Sequence, residues 1–198
     1  TAAVSWQTSS AYPAWKWWRC CKQCPRPADT PPESELALPL LRQWGGRPTA
    51  DSVGGAVFEV LVEQLTAALL QQRVPVDVIA PLLGQGLSEN LHPVNEFQGY
   101  WLVNLLRILH EAPVTWFASV ATRNKLIFDC LGQSTAALQQ TLGEDPAMWQ
   151  WGRLHQATFQ HALGRVTTFG PIFNVGPMPV AGDGNTVAQT GMRPGSFA

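Results

Sequence analysis

The apolar residues of this chain keep helical spacing as far as Leu163, then abandon it after Gly164 for a tail of Phe, Val, Gly and Pro. That change constrains the fold more than any other feature. Amphipathic helices can close a core among themselves. Two short strands cannot, because an isolated two-stranded ribbon is marginal in water. Turn signals at Gly176-Pro177 and at Gly182-Asp183-Gly184-Asn185 divide the tail into short pieces. The expected fold class is therefore α+β: a mainly helical segment followed by C-terminal strands that need a sheet to join. There are no internal repeats.

Several helices can be placed by pattern. Glu33 to Trp44 carries Leu36, Leu40 and Leu41 at helical spacing and ends at Gly45-Gly46. Asp51 or Ser52 can cap the next helix, in which Val57, Phe58, Leu61, Val62, Leu65, Ala68 and Leu69 form the apolar face. A short apolar segment runs from Val76 to Leu83, and residues 84–95 read as a loop. Phe97 to His110 is predicted helical, with Trp101, Leu102, Leu105, Leu106 and Leu109 inward and Pro113 as its breaker. Ser119 to Leu142 is the longest predicted helix, capped by Gly143 and weakened at Gly132. Arg153 to Leu163 is predicted as a further, shorter helix.

The chain divides on this reading into an atypical Trp/Cys/Pro-rich segment (1–32), a helical region (33–145) and a Trp/His and strand region (146–198). Trp15-Lys16-Trp17-Trp18-Arg19-Cys20-Cys21 has neither helical nor strand period. Tryptophan, lysine and cysteine have so few codons that neighbouring frames over residues 14–24 are nearly determined. Read one frame over, the stretch becomes a Leu/Val-rich amphipathic helix, so it is expected to be a shifted-frame translation. No basic leader precedes an apolar stretch in residues 1–24, so no signal peptide is visible.

Charge narrows the function classes. With 13 basic and 14 acidic residues the net charge is −1, which offers no field for a phosphate backbone and disfavours nucleic-acid partners. The apolar runs fall below the ~18 residues a membrane span needs. Only 14% of the 198 residues are charged, against about 25% in ordinary soluble domains. Part of the surface is therefore expected to lie under something absent from this sequence.

No residue pattern builds a site. Cys21-x-x-Cys24 has half a zinc spacing, but no second pair or nearby His completes it, and Cys130 stands alone. His155 and His161 lie six apart on a predicted helix, about 600° of rotation, and cannot share a metal. Each is expected to be a packed or capping histidine. Asp183 sits in a Gly-Asp-Gly-Asn turn without the further oxygen ligands of a calcium loop, a buried Asp accepting N–H bonds being the next reading. Trp149 and Trp151 could form a sugar platform, but after Asp145-Pro146 they are expected to fix a helix entrance into the core. Trp44 and Trp101 are expected in the core as well. Thr1 could in principle act as an N-terminal nucleophile, yet Ala2-Ala3-Val4-Ser5 lends it no support, and a fragment boundary is the expected reading. Catalytic, cofactor and metal residues are thus none.

Four stretches carry a family resemblance: Leu40-Leu41-Arg42-Gln43-Trp44-Gly45-Gly46-Arg47, Gly143 to His155 (GEDPAMWQWGRLH), Phe159-Gln160-His161-Ala162-Leu163-Gly164, and Val180-Ala181-Gly182-Asp183-Gly184-Asn185-Thr186-Val187. In order and distance they resemble the late part of the large subunit of penicillin amidases, over about residues 35–198. Gly45, Ala162 and Ala188 depart from residues usual in that family, where Asp, Pro and Asn are common. The resemblance implies an αββα fold of the N-terminal-nucleophile class, with two antiparallel sheets between helical layers. It implies hydrolysis of linear amides through an acyl-enzyme, by a precursor that cleaves itself into two subunits, and suggests a periplasmic or secreted location. The expected partners are the remainder of the amidase and a small acyl-amide substrate, with no cofactor. The family's nucleophile motif, a Ser followed by Asn-Asn-Trp-like residues, is nowhere in the sequence. No catalytic residue carries over, and Thr1 does not match.

Two rival readings remain from sequence. One is a non-catalytic helical binding or scaffold module. The other is a carbohydrate-binding module, which requires Trp149 and Trp151 to be exposed on one face.

Overall fold

The computed structural model describes residues 24–82, 96–111, 113–159, 161–165 and 168–183. Helix α1 (Ser34–Gln43) begins where Ser34 Oγ donates back to Pro31 O at 2.6 Å. It buries Ala37, Leu38 and Leu41. Leu36, expected inward, is 38% exposed, because the buried stripe runs through 34, 37, 38 and 41 instead.

Helix α2 (Val53–Gln71) is the central element. Ser52 caps it, its Oγ accepting from Gly55 N at 2.9 Å. Val57, Phe58, Leu61, Leu65 and Leu69 are buried as their spacing predicts, and so are Ala56, Val60 and Leu70 on other sides. By length and composition α2 alone, among the described residues, could cross a membrane, with a mean hydropathy of 1.6 and 67% of that window buried inside the protein. A core helix occupies such a position. The apolar run is thus longer than the sequence suggested.

The short segment after it is helix α3 (Val76–Leu82). The predicted loop at 84–95 lies outside the described residues. Helix α4 (Glu96–Glu111) buries Trp101, Leu102, Leu105, Leu106 and Leu109. Trp101 Nε1 donates to Thr66 Oγ1, which fastens α4 to α2. Pro113 starts a one-turn helix, α5 (Pro113–Trp116), where it sits at the first position and its missing N–H costs nothing.

Helix α6 (Val120–Leu142) is capped by Ser119, whose Oγ accepts from Thr122 N at 3.1 Å, and closed by Gly143 at φ 95°. It runs unbroken through Gly132. A Cβ there would meet Pro31 Cβ at 3.0 Å, so the glycine gives the incoming chain room to pass. Helices α1, α2 and α6 pack on one another around one apolar core. Residues 24–25 are tied to α6: Cys24 Sγ donates to Asn124 Oδ1 at 2.9 Å, and Asn124 Nδ2 donates to Pro25 O at 3.3 Å.

Beyond Gly143 the structure departs from the predicted pattern. A 3₁₀ turn (Pro146–Met148) leads to a single helical turn, α7 (Trp151–Leu154), not to a helix over 153–163. Strand β1 (Gln156–Phe159) follows, then a 3₁₀ turn (Leu163–Arg165), helix α8 (Gly170–Phe173) and strand β2 (Val175–Pro179). The strands pair antiparallel, Gln156 with Pro179, Ala157 with Met178 and Phe159 with Val175, with an irregularity between Ala157 and Phe159. Val180 N extends the ladder to His155 O at 3.0 Å. Position 179, one step back along the strand, therefore faces away from β1, and Pro179 there carries no N–H. Pro177 likewise brings no donor to the strand.

Both strands are largely exposed. Phe159 is 62% and Val175 57% accessible. Among the described residues, a mostly helical body with one two-stranded antiparallel ladder is the observed α+β architecture.

Candidate functional site

The densest polar construction lies where the chain after β2 returns to the start of α2. Trp151 N donates to Ser52 O at 3.0 Å and Gly152 N to Ala50 O at 2.7 Å, which fixes α7 against the loop before α2. Gly152 permits this approach: a Cβ there would lie 2.7 Å from Pro179 Cβ and 2.9 Å from both Ala50 Cβ and Ala50 O. Gly182 N donates to Pro48 O at 2.7 Å, and Trp151 Nε1 donates to Gly182 O at 2.8 Å. The returning backbone is therefore held from two sides.

Trp151 and Trp149 are both completely buried. Trp149 Nε1 donates to Gly143 O at 2.8 Å, tying the C-terminus of α6 to the 3₁₀ turn. The indoles act as packed anchors with satisfied N–H groups. Their burial removes the sugar-platform reading, which needs exposed rings.

His155 ends α7, is 4% exposed and stacks on Trp151 with ring centroids 4.7 Å apart. Its Nδ1 lies 3.2 Å from Val180 O. His161 is exposed, beyond β1, where it stacks on Phe173 at 5.4 Å and its Nδ1 accepts from Leu163 N. The two histidines do not share a helix, so the rotation argument fails in its premise. They are kept apart by strand β1 instead.

Asp183 is 7% exposed, the buried reading rather than the open turn. A second buried carboxyl is one that sequence reasoning missed. Glu59, on α2, is 9% exposed among apolar neighbours. Burial, and then the negative charge of Asp183, push the Glu59 carboxyl well above the usual carboxylate range. Glu59 Oε1 has no hydrogen-bond partner. A sequence signal existed: Glu59 interrupts the run Gly54–Leu61, which is otherwise uncharged.

Other candidates disperse. Cys24 is engaged by Asn124, and Cys130 is buried in α6, its thiol pushed up to about 12 by burial and by Asp129. Neither is a poised nucleophile. Among the described residues no cluster of three or more His, Cys, Asp or Glu is placed to hold a metal. A shallow cleft beside Trp116, Thr122 and Leu126 includes Lys125 and Asp129, which pair with each other at 3.0 Å. Thr1, Cys20 and Cys21 lie outside the described residues, as do Gly184 and Asn185 of the Gly-Asp-Gly-Asn motif.

Helices packed with an antiparallel ladder place the chain in the α+β class. The sequence model of the penicillin amidase family matches residues 5–198, and the chain belongs to that family. The match takes in the Trp/Cys-rich N-terminal stretch, which the motifs over residues 35–198 left outside. No curated protein matches the chain. Penicillin amidases are amide hydrolases, and membership assigns this chain that class of function.

Proposed function

We propose that this chain is a segment, from the late part of the large subunit, of a penicillin-amidase-like enzyme that hydrolyses linear amides with an N-terminal nucleophile. In that chemistry the nucleophile's oxygen adds to the amide carbonyl while its own α-amine takes the proton. The α-amine passes that proton to the substrate's nitrogen as the carbon–nitrogen bond breaks, the product amine leaves, and water hydrolyses the acyl-enzyme. Oxyanion donors stabilise the tetrahedral intermediate. The nucleophile lies outside these 198 residues. The observation that carries this reading is the family match over residues 5–198 in a sequence without the Ser-Asn-Asn-Trp-like motif.

The segment supplies a helical layer, centred on residues 33–145, and part of a sheet within 146–198. Support comes from the ladder of β1 and β2, whose faces carry exposed Phe159, Val175 and Met178. Such a ladder is suited to being covered by more sheet and helix, as an αββα body would provide. The partner is the remainder of the amidase, and the substrate is a small acyl-amide.

The test is hydrolysis of a chromogenic acyl-anilide by the purified 198-residue chain. No turnover is expected. Turnover that disappears in a Thr1→Ala variant would place the nucleophile in this chain and overturn the proposal. Genomic sequence upstream that encodes a self-cleavage site followed by Ser would support it.

A further inference from the structure

The excursion that joins β1 to β2 is firmly built, yet it turns its apolar side chains to solvent. Asn174 holds it together. Its Oδ1 accepts from His161 N at 3.0 Å, its Nδ2 donates to Gly164 O at 3.3 Å, and its backbone N donates to Gly170 O at 2.9 Å. A Cβ at Gly164 would collide with that side chain, so the close approach needs glycine. His161 stacks on Phe173, and Phe169 meets Phe173 edge-on with ring centroids 6.1 Å apart. The cross-strand pair Phe159–Val175 closes the base of the excursion.

Phe159, Leu163, Ile172 and Val175 are each more than half exposed, Ile172 most of all at 72%, and Phe169 and Phe173 reach 40% or more. At about 200 Å² for a large side chain, these six leave roughly 650 Å² of apolar surface in water. The largest apolar patch on a typical monomer is about 300–600 Å². A stable interface covers about 800 Å² per partner, of which about 60% is apolar. The excursion and its base therefore supply the apolar share of one such interface. Their order is set before any contact, so little is lost in fixing them on binding.

We propose that in the chain by itself this surface pairs with the same surface of a second copy across a two-fold axis. Arg165 is the single Lys, Arg, Asp or Glu from Leu154 to Gly182. A surface so poor in charge has no polar pattern with which to select a foreign partner. A two-fold contact needs none, because each copy presents the other with the same apolar patch. The second copy and the remainder of an amidase compete for this surface. The dimer does not depend on the amidase reading: acyl-anilide turnover reports on the enzyme, and oligomeric state reports on the contact.

Sedimentation velocity on the full chain, from about 1 to about 100 µM, tests this across the range in which interfaces of this size and modest affinity dissociate. A closed dimer is expected, with one species of twice the monomer mass at the upper end. Ile172→Glu places a carboxylate in the contact on both copies and should weaken the dimer by at least ~10-fold. Ile172→Gln should weaken it in the same direction but less, which keeps the test usable if the first variant folds poorly. Val76→Glu, at a comparably exposed apolar position on α3, should leave it unchanged. A chain that stays monomeric at the highest concentration, or one that forms open-ended aggregates, would overturn the two-fold contact. So would a dimer that Ile172→Glu leaves at wild-type affinity, or one that Val76→Glu weakens as much.

Discussion

Trp151 offers the sharpest test of how the second half of the chain is held to the first. Its ring is fully buried, stacks on His155, and donates through Nε1 to Gly182 O, while its backbone N donates to Ser52 O. Truncation to Ala keeps the backbone bond and removes everything else. A buried indole covers roughly 200 Å², which at about 25 cal/mol per Å² corresponds to about 5 kcal/mol. Measured Trp→Ala losses of roughly 3–5 kcal/mol agree. Trp151→Phe separates the parts. It retains most of the apolar surface but strands Gly182 O, at a cost of about 1–3 kcal/mol. In a chain of this size each kcal/mol moves the melting temperature by about 2–4 °C. Trp151→Ala should therefore melt about 10 °C or more below wild type, and Trp151→Phe should fall between the two. Hydrogen exchange in the Phe variant should rise first in peptides spanning 180–183. A Trp151→Ala protein that melts within ~2 °C of wild type would refute the idea that this anchor holds the two parts together.

The same packing sets three further outcomes. Gly152→Ala places a methyl against Pro179 and Ala50 and should destabilise by about 1–3 kcal/mol, read by chemical denaturation; a neutral effect would mean that the loop before α2 yields freely. Ser52→Ala removes the α2 cap and should cost about 1 kcal/mol, while Ser52→Asp should retain most of the stability. Cys130, with its thiol pushed up to about 12, should resist alkylation near neutral pH until the protein unfolds, and rapid labelling in the native state by peptide mass mapping would contradict its burial.

The helical half was legible in the sequence because its signals are local. Ser52, Ser119 and Gly143 act on backbone groups within a few residues of themselves, so the bounds of α2 and α6 follow closely from the letters. The region after Gly143 was not legible in the same way. Gln156 to Phe159 could continue a helix on local grounds, but it becomes strand by pairing with Val175 to Pro179, which no periodicity reveals. The helix expected over 153–163 was therefore wrong, and with it the argument about His155 and His161. The role of Trp149 and Trp151 as anchors was legible because a large ring with one N–H seldom stays exposed beside an apolar core. Glu59 and Asp183 show the reverse. Each looks ordinary in its own neighbourhood, and only the packing of the whole chain buries both carboxyls.

Pro177 and Pro179 leave β2 short of backbone donors. Two of the five residues of β2 bring no N–H to a ladder, whereas all four residues of β1, Gln156 to Phe159, keep theirs. A further strand therefore finds a fuller set of donors at β1 than at β2, and the proline-bearing edge is poorly suited to open-ended association.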